Sequence, residues 1–185
     1  DGIRDLVRSR GLGDVYKRQL SILVIDDSRD MRTIIGSVLA AIGVTRLKFA
    51  SGGAAGLMAI AEQDFDVIFV DQEMPGVRGI EVIRAVRGRT DAKRFTPIIM
   101  LTGHADLRHL VGARDAGVNE FLRKPVTARS IVERLLAVIH RPRDFVRTPT
   151  YFGPDRRRTC GVDGDSPELG RRKGDPKEIL VLAPS

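Results

Sequence analysis

Three aspartates that follow two apolar runs are the residues best placed for chemistry. Asp26 and Asp27 follow the run Ser21–Ile25, and Asp71 follows the run 66–70. Runs of this length are typical of strands buried on both faces of a parallel sheet. If the two strands are neighbours, three carboxylates meet at one edge, where like charges raise one another's pKa unless a cation neutralises them. An all-oxygen cluster favours Mg²⁺, which also binds phosphate oxygens, so the pattern predicts phosphoryl chemistry.

Two further apolar runs end in side chains that can bind phosphate. Residues 97–101 lead into Thr102, and residues 119–123 lead into Lys124. A hydroxyl and an ammonium group are therefore expected at the same edge of the sheet as the carboxylates. Phosphoryl transfer depends mainly on positioning and on spreading the developing charge over donors and cations, and a carboxylate can act as the covalent nucleophile. The residues together are sufficient to form an aspartyl-phosphate.

Apolar residues between these runs recur at helical spacing. From Asp30 to Ile42 they fall on one face of a helix. Comparable patterns predict helices over 53–63, 79–87, 105–116 and 127–140, and a short strand over 45–50. Five strand–helix pairs predict the α/β class, with a flavodoxin-like (βα)5 fold and a five-stranded parallel sheet of order 2-1-3-4-5. The point between its first and third strands, where the strand order reverses, coincides with the three aspartates.

Over residues 21–140 the chain resembles the receiver domains of two-component response regulators, in particular the chemotaxis-type single-domain regulators. Each motif alone is weak evidence, but the order and the separations of the whole set are specific. The set consists of Asp26-Asp27, Asp71, Met74-Pro75-Gly76, Thr102-Gly103, Phe121 and Lys124-Pro125.

The resemblance implies a role for each polar residue of this set. Asp71 is expected to accept the phosphoryl group, and Lys124 to bind the phosphoryl oxygens. Asp27 is expected to be the main side-chain ligand of Mg²⁺, with Asp26 helping directly or through water. Asp71 itself and the backbone carbonyl of Glu73 complete the expected ligands.

Other positions are implied as a switch. Thr102 is expected to reorient and hydrogen-bond the phosphoryl group. Phe121 is expected to rotate and so to alter the face made by the fourth helix, the fifth strand and the fifth helix. Glu73 and His104 are expected to tune the lifetime of the phosphoryl group, since an acid and an imidazole can each act on the attacking water.

The resulting interpretation is a stand-alone response regulator in two-component phosphorelay signalling. A histidine kinase or a histidine phosphotransfer protein is expected to pass a phosphoryl group to Asp71, and a downstream protein to bind the altered face. We expect only self-phosphotransfer and autodephosphorylation, and no enzyme activity on a separate substrate. The sequence has no apolar stretch as long as a membrane span and no signal-peptide pattern near its start, which predicts a cytoplasmic protein.

Two alternatives come from other functional classes. A phosphohydrolase of the haloacid-dehalogenase type also uses Asp, Thr or Ser, and Lys with Mg²⁺, but it needs an Asp-x-Asp loop, whereas Asp26 and Asp27 are adjacent. The second alternative is an adaptor whose basic tail binds nucleic acid under control of the receiver. The net charge of +7 is spread over the whole chain, whereas phosphate-binding proteins concentrate it on one face. Nucleic acid is therefore not expected as a partner.

The two ends of the chain lack the periodicity of a packed domain. Residues 1–19 have no initiator methionine and are interpreted as a non-native leader. Residues 20–140 are assigned to the receiver domain. Residues 141–185 contain recurrent prolines, glycines and charges, and are predicted to form a mostly disordered basic tail. Within it, residues 151–158 join an aromatic pair to three arginines and are a candidate docking segment.

Overall fold

The computed structural model describes residues 20–103, 107–156 and 178–180. The predicted leader over residues 1–19 lies outside the described residues, as does His104. No helix in the described part of the chain is long and apolar enough to cross a membrane.

A five-stranded parallel sheet forms the centre of the molecule. Its strands are β1 (Ser21–Ile25), β2 (Arg46–Ala50), β3 (Val67–Asp71), β4 (Ile98–Thr102) and β5 (Glu120–Arg123). Their order is β2-β1-β3-β4-β5, and every neighbouring pair is parallel. The predicted fold class and strand order are confirmed.

In the described part of the chain, five α-helices connect and follow the strands. They are α1 (Arg29–Ala41), α2 (Gly53–Glu62), α3 (Gly79–Arg87), α4 (Leu107–Ala116) and α5 (Ala128–His140). A short 3₁₀-helix, Ala92–Phe95, lies between α3 and β4. The start of α1 follows local capping chemistry, since the Ser28 side chain accepts a hydrogen bond from the Met31 amide. Capping by Ser28 leaves the neighbouring Asp27 side chain available to the edge of the sheet.

The sheet separates two hydrophobic clusters, and the side chains of its central strands alternate between them. In β1, Ile22 and Val24 pack with α1 and α5, whereas Leu23 and Ile25 pack with α2, α3 and α4. Because both faces of these strands are covered, their sequences are continuously apolar. The loops at the carboxyl ends of the strands therefore extend from a sheet that is packed on both faces.

A second, antiparallel sheet follows α5. Its strands are β6 (Phe145–Thr148), β7 (Tyr151–Pro154) and β8 (Glu178–Leu180), in the order β7-β6-β8. For these residues the prediction of a mostly disordered tail is wrong. Phe145 and Val146 are buried, at 4 % and 5 % exposure, and burial of apolar side chains stabilises such short strands. We call residues 145–154 the C-terminal hairpin.

Candidate functional site

The carboxyl ends of β1 and β3 bring the three predicted aspartates together. The two strands are neighbours, with Ile25 beside Val70, so that Asp26 and Asp71 end at the same level. Carboxylate oxygens of Asp26, Asp27 and Asp71 all lie within 4.8 Å of one another. Asp26 and Asp71 are buried, whereas Asp27 is exposed. This aspartate cluster therefore combines two buried carboxylates with one that solvent can reach.

Lys124 completes the cluster from the end of β5. Its Nζ lies 2.9 Å from Oδ1 of Asp71 and 3.3 Å from Oδ2 of Asp26. The Lys124 amide donates to the Thr102 carbonyl at 2.8 Å, which ties the end of β5 to the end of β4. The prediction that an ammonium group joins the carboxylates at this edge is therefore confirmed in its geometry.

The electrostatics of the aspartate cluster favour a bound cation. Burial raises the pKa of Asp71, the hydrogen bond from Lys124 opposes that shift, and the charge of Asp26 adds to it. Burial acts to lower the pKa of Lys124, but its hydrogen bond and attraction to Asp71 raise it overall. Lys124 thus remains an ammonium group beside carboxylates whose combined charge exceeds its own. Oxygen ligands with an excess of negative charge suit a hard divalent cation such as Mg²⁺.

Asp26 also shapes the loop that carries it. Its Oδ1 accepts a hydrogen bond from the Ser28 amide at 2.8 Å, while its Oδ2 faces Lys124. Both carboxylate oxygens therefore have fixed partners, and the buried side chain is held in one orientation. Such fixing of a ligand by its neighbours prepares the geometry of a metal site before the ion binds.

Thr102 and Phe121 lie where the sequence analysis expected them. Thr102 is the last residue of β4, is buried, and lies beside Arg123 in the register of β5. Phe121 is half-buried in β5 and packs against the cluster formed with α2, α3 and α4. Glu73 follows Asp71 in the loop before α3, where its carboxylate accepts a hydrogen bond from Gln72 at 3.3 Å.

Comparison with known proteins decides the family. Residues 22–136 match the response regulator receiver domain. The chain belongs to this family. Chemotaxis protein CheY-3 of Vibrio cholerae is 31 % identical over 127 residues, covering 69 % of this chain and 97 % of that protein. Chemotaxis protein CheY of Pseudomonas aeruginosa is 34 % identical over 122 residues, covering 66 % of this chain and 98 % of that protein.

A solved structure shares the fold of this receiver domain. The chemotaxis response regulator CheY4 of Vibrio cholerae is 29 % identical, with a TM-score of 0.60, and the match covers 65 % of this chain and 98 % of that one. The match leaves about a third of the present chain, including sequence beyond the receiver domain, without a counterpart in that protein.

Arg32 is a residue of the receiver domain that the sequence analysis missed. From the first turn of α1 its Nη1 donates to the carbonyl of Asp26 at 2.6 Å and to the carbonyl of Asp27 at 3.1 Å. The guanidinium thereby fixes the backbone of the loop that bears two of the three carboxylates. Helical side chains point toward the N-terminus of their helix, so the sequence indicates that Arg32 can reach the preceding loop, but not which carbonyl groups it contacts.

Gly79 is the second missed residue. A Cβ atom built at this position would clash with the carbonyl oxygen of Asp71. The Gly79 amide also donates to the carbonyl of Gln72 at 3.2 Å. The start of α3 therefore approaches the end of β3 so closely that only glycine fits. This contact positions the loop that contains Glu73.

Proposed function

We propose that this receiver domain accepts a phosphoryl group on Asp71 from a histidine kinase or a histidine phosphotransfer protein, with Mg²⁺ bound, and thereby changes its contacts with a downstream protein. The observation that carries this proposal is the aspartate cluster with Lys124 at 2.9 Å from Asp71. A nucleophile, a cation site and a phosphate-binding ammonium meet there at the end of one sheet.

The residues that would hold Mg²⁺ are Asp26, Asp27, Asp71 and the backbone carbonyl of Glu73. When bound, the ion neutralises the carboxylates and the negative charge that develops on the phosphoryl oxygens. Arg32 keeps the carbonyls of Asp26 and Asp27 in place, so the two carboxylates start from a fixed backbone. The ligand set is all oxygen, as this cation prefers.

In the transfer step, a carboxylate oxygen of Asp71 forms a bond to phosphorus as the bond between phosphorus and the donor's imidazole nitrogen breaks. The electron pair of the breaking bond passes to that nitrogen. Lys124 exchanges its contact with the Asp71 carboxylate for a contact with a phosphoryl oxygen. The ammonium group thus stabilises negative charge on the carboxylate before the transfer and on the phosphoryl group after it, with only a small movement.

The change in contacts would begin at Thr102 and Phe121. The Thr102 hydroxyl, at the end of β4, would donate to a phosphoryl oxygen on Asp71. Rotation of Phe121 in β5 would then alter the face formed by α4, β5 and α5, which we propose as the surface read by the downstream protein. Two conformations with different affinity for that protein suffice for such a switch.

Autodephosphorylation would return the domain to its resting state. Water attacks the acyl phosphate on Asp71, and the side chains of Glu73 and His104 would tune this reaction. A phosphohydrolase of the haloacid-dehalogenase type is not favoured, because the adjacent pair Asp26-Asp27 departs from the Asp-x-Asp loop and the family match is to receiver domains.

Binding of beryllofluoride, a non-hydrolysable mimic of the phosphoryl group, tests the proposal. We expect the full chain to bind it when Mg²⁺ is present and to release it when EDTA is added, as measured by titration calorimetry. Lys124→Met should weaken this binding, whereas Lys93→Met, which removes an ammonium far from the cluster, should not. Absence of Mg²⁺-dependent binding in the unaltered chain would refute the proposed function.

A further inference from the structure

The C-terminal hairpin packs against the receiver domain at the end opposite the aspartate cluster. The ring of Phe145 lies 5.1 Å from that of Phe95, and the ring of Phe152 lies 5.4 Å from the same Phe95, both nearly edge to face. Phe95 belongs to the 3₁₀-helix that leads into β4. The guanidinium of Arg94 lies 3.6 Å from the centre of the Phe152 ring. These contacts bury aromatic surface that the receiver domain would otherwise expose.

A buried arginine links the hairpin to the start of β4 and β5. Arg87, the last residue of α3, is 4 % exposed, and its guanidinium lies 5.0 Å below the ring of Phe145. The acceptors of its hydrogen bonds are the carbonyls of Gly117, Arg94 and Thr96, at 2.9, 2.7 and 2.8 Å, and Oδ1 of Asn119, at 2.8 Å. Oδ1 of Asn119 also accepts from the amide of Ile98 at the start of β4. Phe145 therefore covers the residue that fixes these backbone segments to one another.

Other contacts reach α4 and β5 directly. Arg156, just after the hairpin, lies 3.2 Å from Asp115 in the last turn of α4. Arg143, just before it, lies 3.2 Å from Glu120, the first residue of β5. A Cβ atom built on Gly153 would lie 2.9 Å from the Cα of Gly117, so the two backbones are in close contact. The hairpin thus holds the end of α4 and the start of β5 from outside.

We propose that the C-terminal hairpin is an intramolecular clamp that favours the unphosphorylated arrangement of α4 and β5, so that hairpin docking and phosphorylation of Asp71 oppose each other. This inference rests on the proposed function. β5 connects the hairpin contacts to the aspartate cluster, because Glu120 is its first residue and Lys124 follows its last. A closely packed interface fits one arrangement of its partners better than another, and a ligand that prefers the other arrangement weakens it.

The direction of the coupling follows from the state of Lys124. All the hairpin contacts occur in a structure in which Lys124 pairs with Asp71 at 2.9 Å. A phosphoryl group on Asp71 takes over the Lys124 contact and so changes the end of β5. Coupling between two sites is reciprocal. If a bound phosphoryl group weakens the docking of the hairpin by a given factor, the docked hairpin weakens binding of the phosphoryl group by the same factor.

The test compares Phe152→Ala with Phe49→Ala, both in the full chain. Phe152 belongs to the hairpin, whereas Phe49 is 46 % exposed on β2, so its replacement removes one ring outside the hairpin. With Mg²⁺ present, we expect Phe152→Ala to bind beryllofluoride about five-fold more tightly than the unaltered chain, the lower end of common coupling factors. Phe49→Ala should bind as the unaltered chain does. Equal affinity in all three proteins, or weaker binding by Phe152→Ala, would overturn the clamp.

Hydrogen exchange in the unaltered chain provides a test that needs no substitution. We expect amides of residues 145–154 to exchange faster when beryllofluoride and Mg²⁺ are bound. Unchanged or slower exchange there, with binding established by calorimetry, would refute the clamp and leave the proposed function standing. Failure of the unaltered chain to bind beryllofluoride would refute both.

Discussion

Asp71 carries a charge that the folded protein does not favour without a cation. Its pKa is raised above the usual value of 3.8, chiefly by burial. At pH values between 3.8 and the raised pKa, the Asp71 carboxyl keeps its proton in the folded state and has lost it in the unfolded chain. The free energy of unfolding therefore falls as the pH rises through this window. Once ionised, the side chain destabilises the fold, and a bound cation offsets this.

Asp71→Asn is therefore expected to stabilise the protein when no divalent cation is present. The melting temperature at pH 7 should rise above that of the unaltered chain, and the difference should shrink as the pH is lowered toward 3.8. Added Mg²⁺ should raise the melting temperature of the unaltered chain more than that of the variant. Asp66→Asn, a change at the opposite end of β3, serves as the control. A less stable Asp71→Asn protein at pH 7 would contradict this reading.

Arg32→Lys tests whether the loop that bears Asp26 and Asp27 must be fixed. Lysine keeps the positive charge, but its side chain is one atom shorter and lacks the planar guanidinium whose Nη1 donates to both carbonyls. We expect Mg²⁺ affinity to fall about ten-fold, as for other residues that orient metal ligands without binding the metal themselves. Calorimetric titration with Mg²⁺ measures it, with Arg29→Lys in the same turn of α1 as the control. Equal affinity in the two variants would show that Arg32 does not position the site.

Residues whose polar side chains follow an apolar run could be predicted, and residues that contact backbone carbonyl groups could not. Asp26, Asp71 and Lys124 follow apolar runs, so each is marked by its place in the sequence. Arg32 and Gly79 act on carbonyl groups, which every residue possesses. Their partners become visible only when the loops are seen in three dimensions.

At the level of elements, the strands of the parallel sheet were predictable and those of the C-terminal hairpin were not. The former are buried on both faces and read as continuous apolar runs. β6 and β7 have four residues each, and β6 has an exposed arginine. Their burial depends on Phe95 and Arg87, which lie 50 or more residues earlier in the chain. A local pattern cannot reveal such distant partners.

Phe145→Ala tests how much the hairpin contributes to the free energy of unfolding. The side chain is buried between Phe95 and Arg87, so its loss removes apolar contacts and uncovers a buried charge. We expect the free energy of unfolding in urea to fall by about 3 kcal/mol, as for buried aromatic residues elsewhere. Phe49→Ala should cost about 1 kcal/mol or less, as is common at partly exposed positions. Similar losses in the two variants would mean that the hairpin contributes little to stability.

At the level of the whole molecule, one sheet connects the aspartate cluster to the hairpin contacts. Its carboxyl edge gathers the aspartate cluster and Lys124, and its opposite edge carries the Arg87 contacts under the hairpin. The fold, the strand order and the gathering of the carboxylates followed from the sequence. The surface to which the hairpin docks did not, since it depends on how the ends of α3 and α4 are arranged after folding.

Intact mass spectrometry can show whether Asp71 is the phosphoacceptor. The full chain would be incubated with acetyl phosphate and Mg²⁺ beside Asp71→Asn and Asp66→Asn. We predict an added mass of about 80 Da, one phosphoryl group, in the unaltered chain and in Asp66→Asn. This mass should be absent from Asp71→Asn and from samples that contain EDTA. An adduct of equal yield in Asp71→Asn would contradict the assignment of the phosphoacceptor.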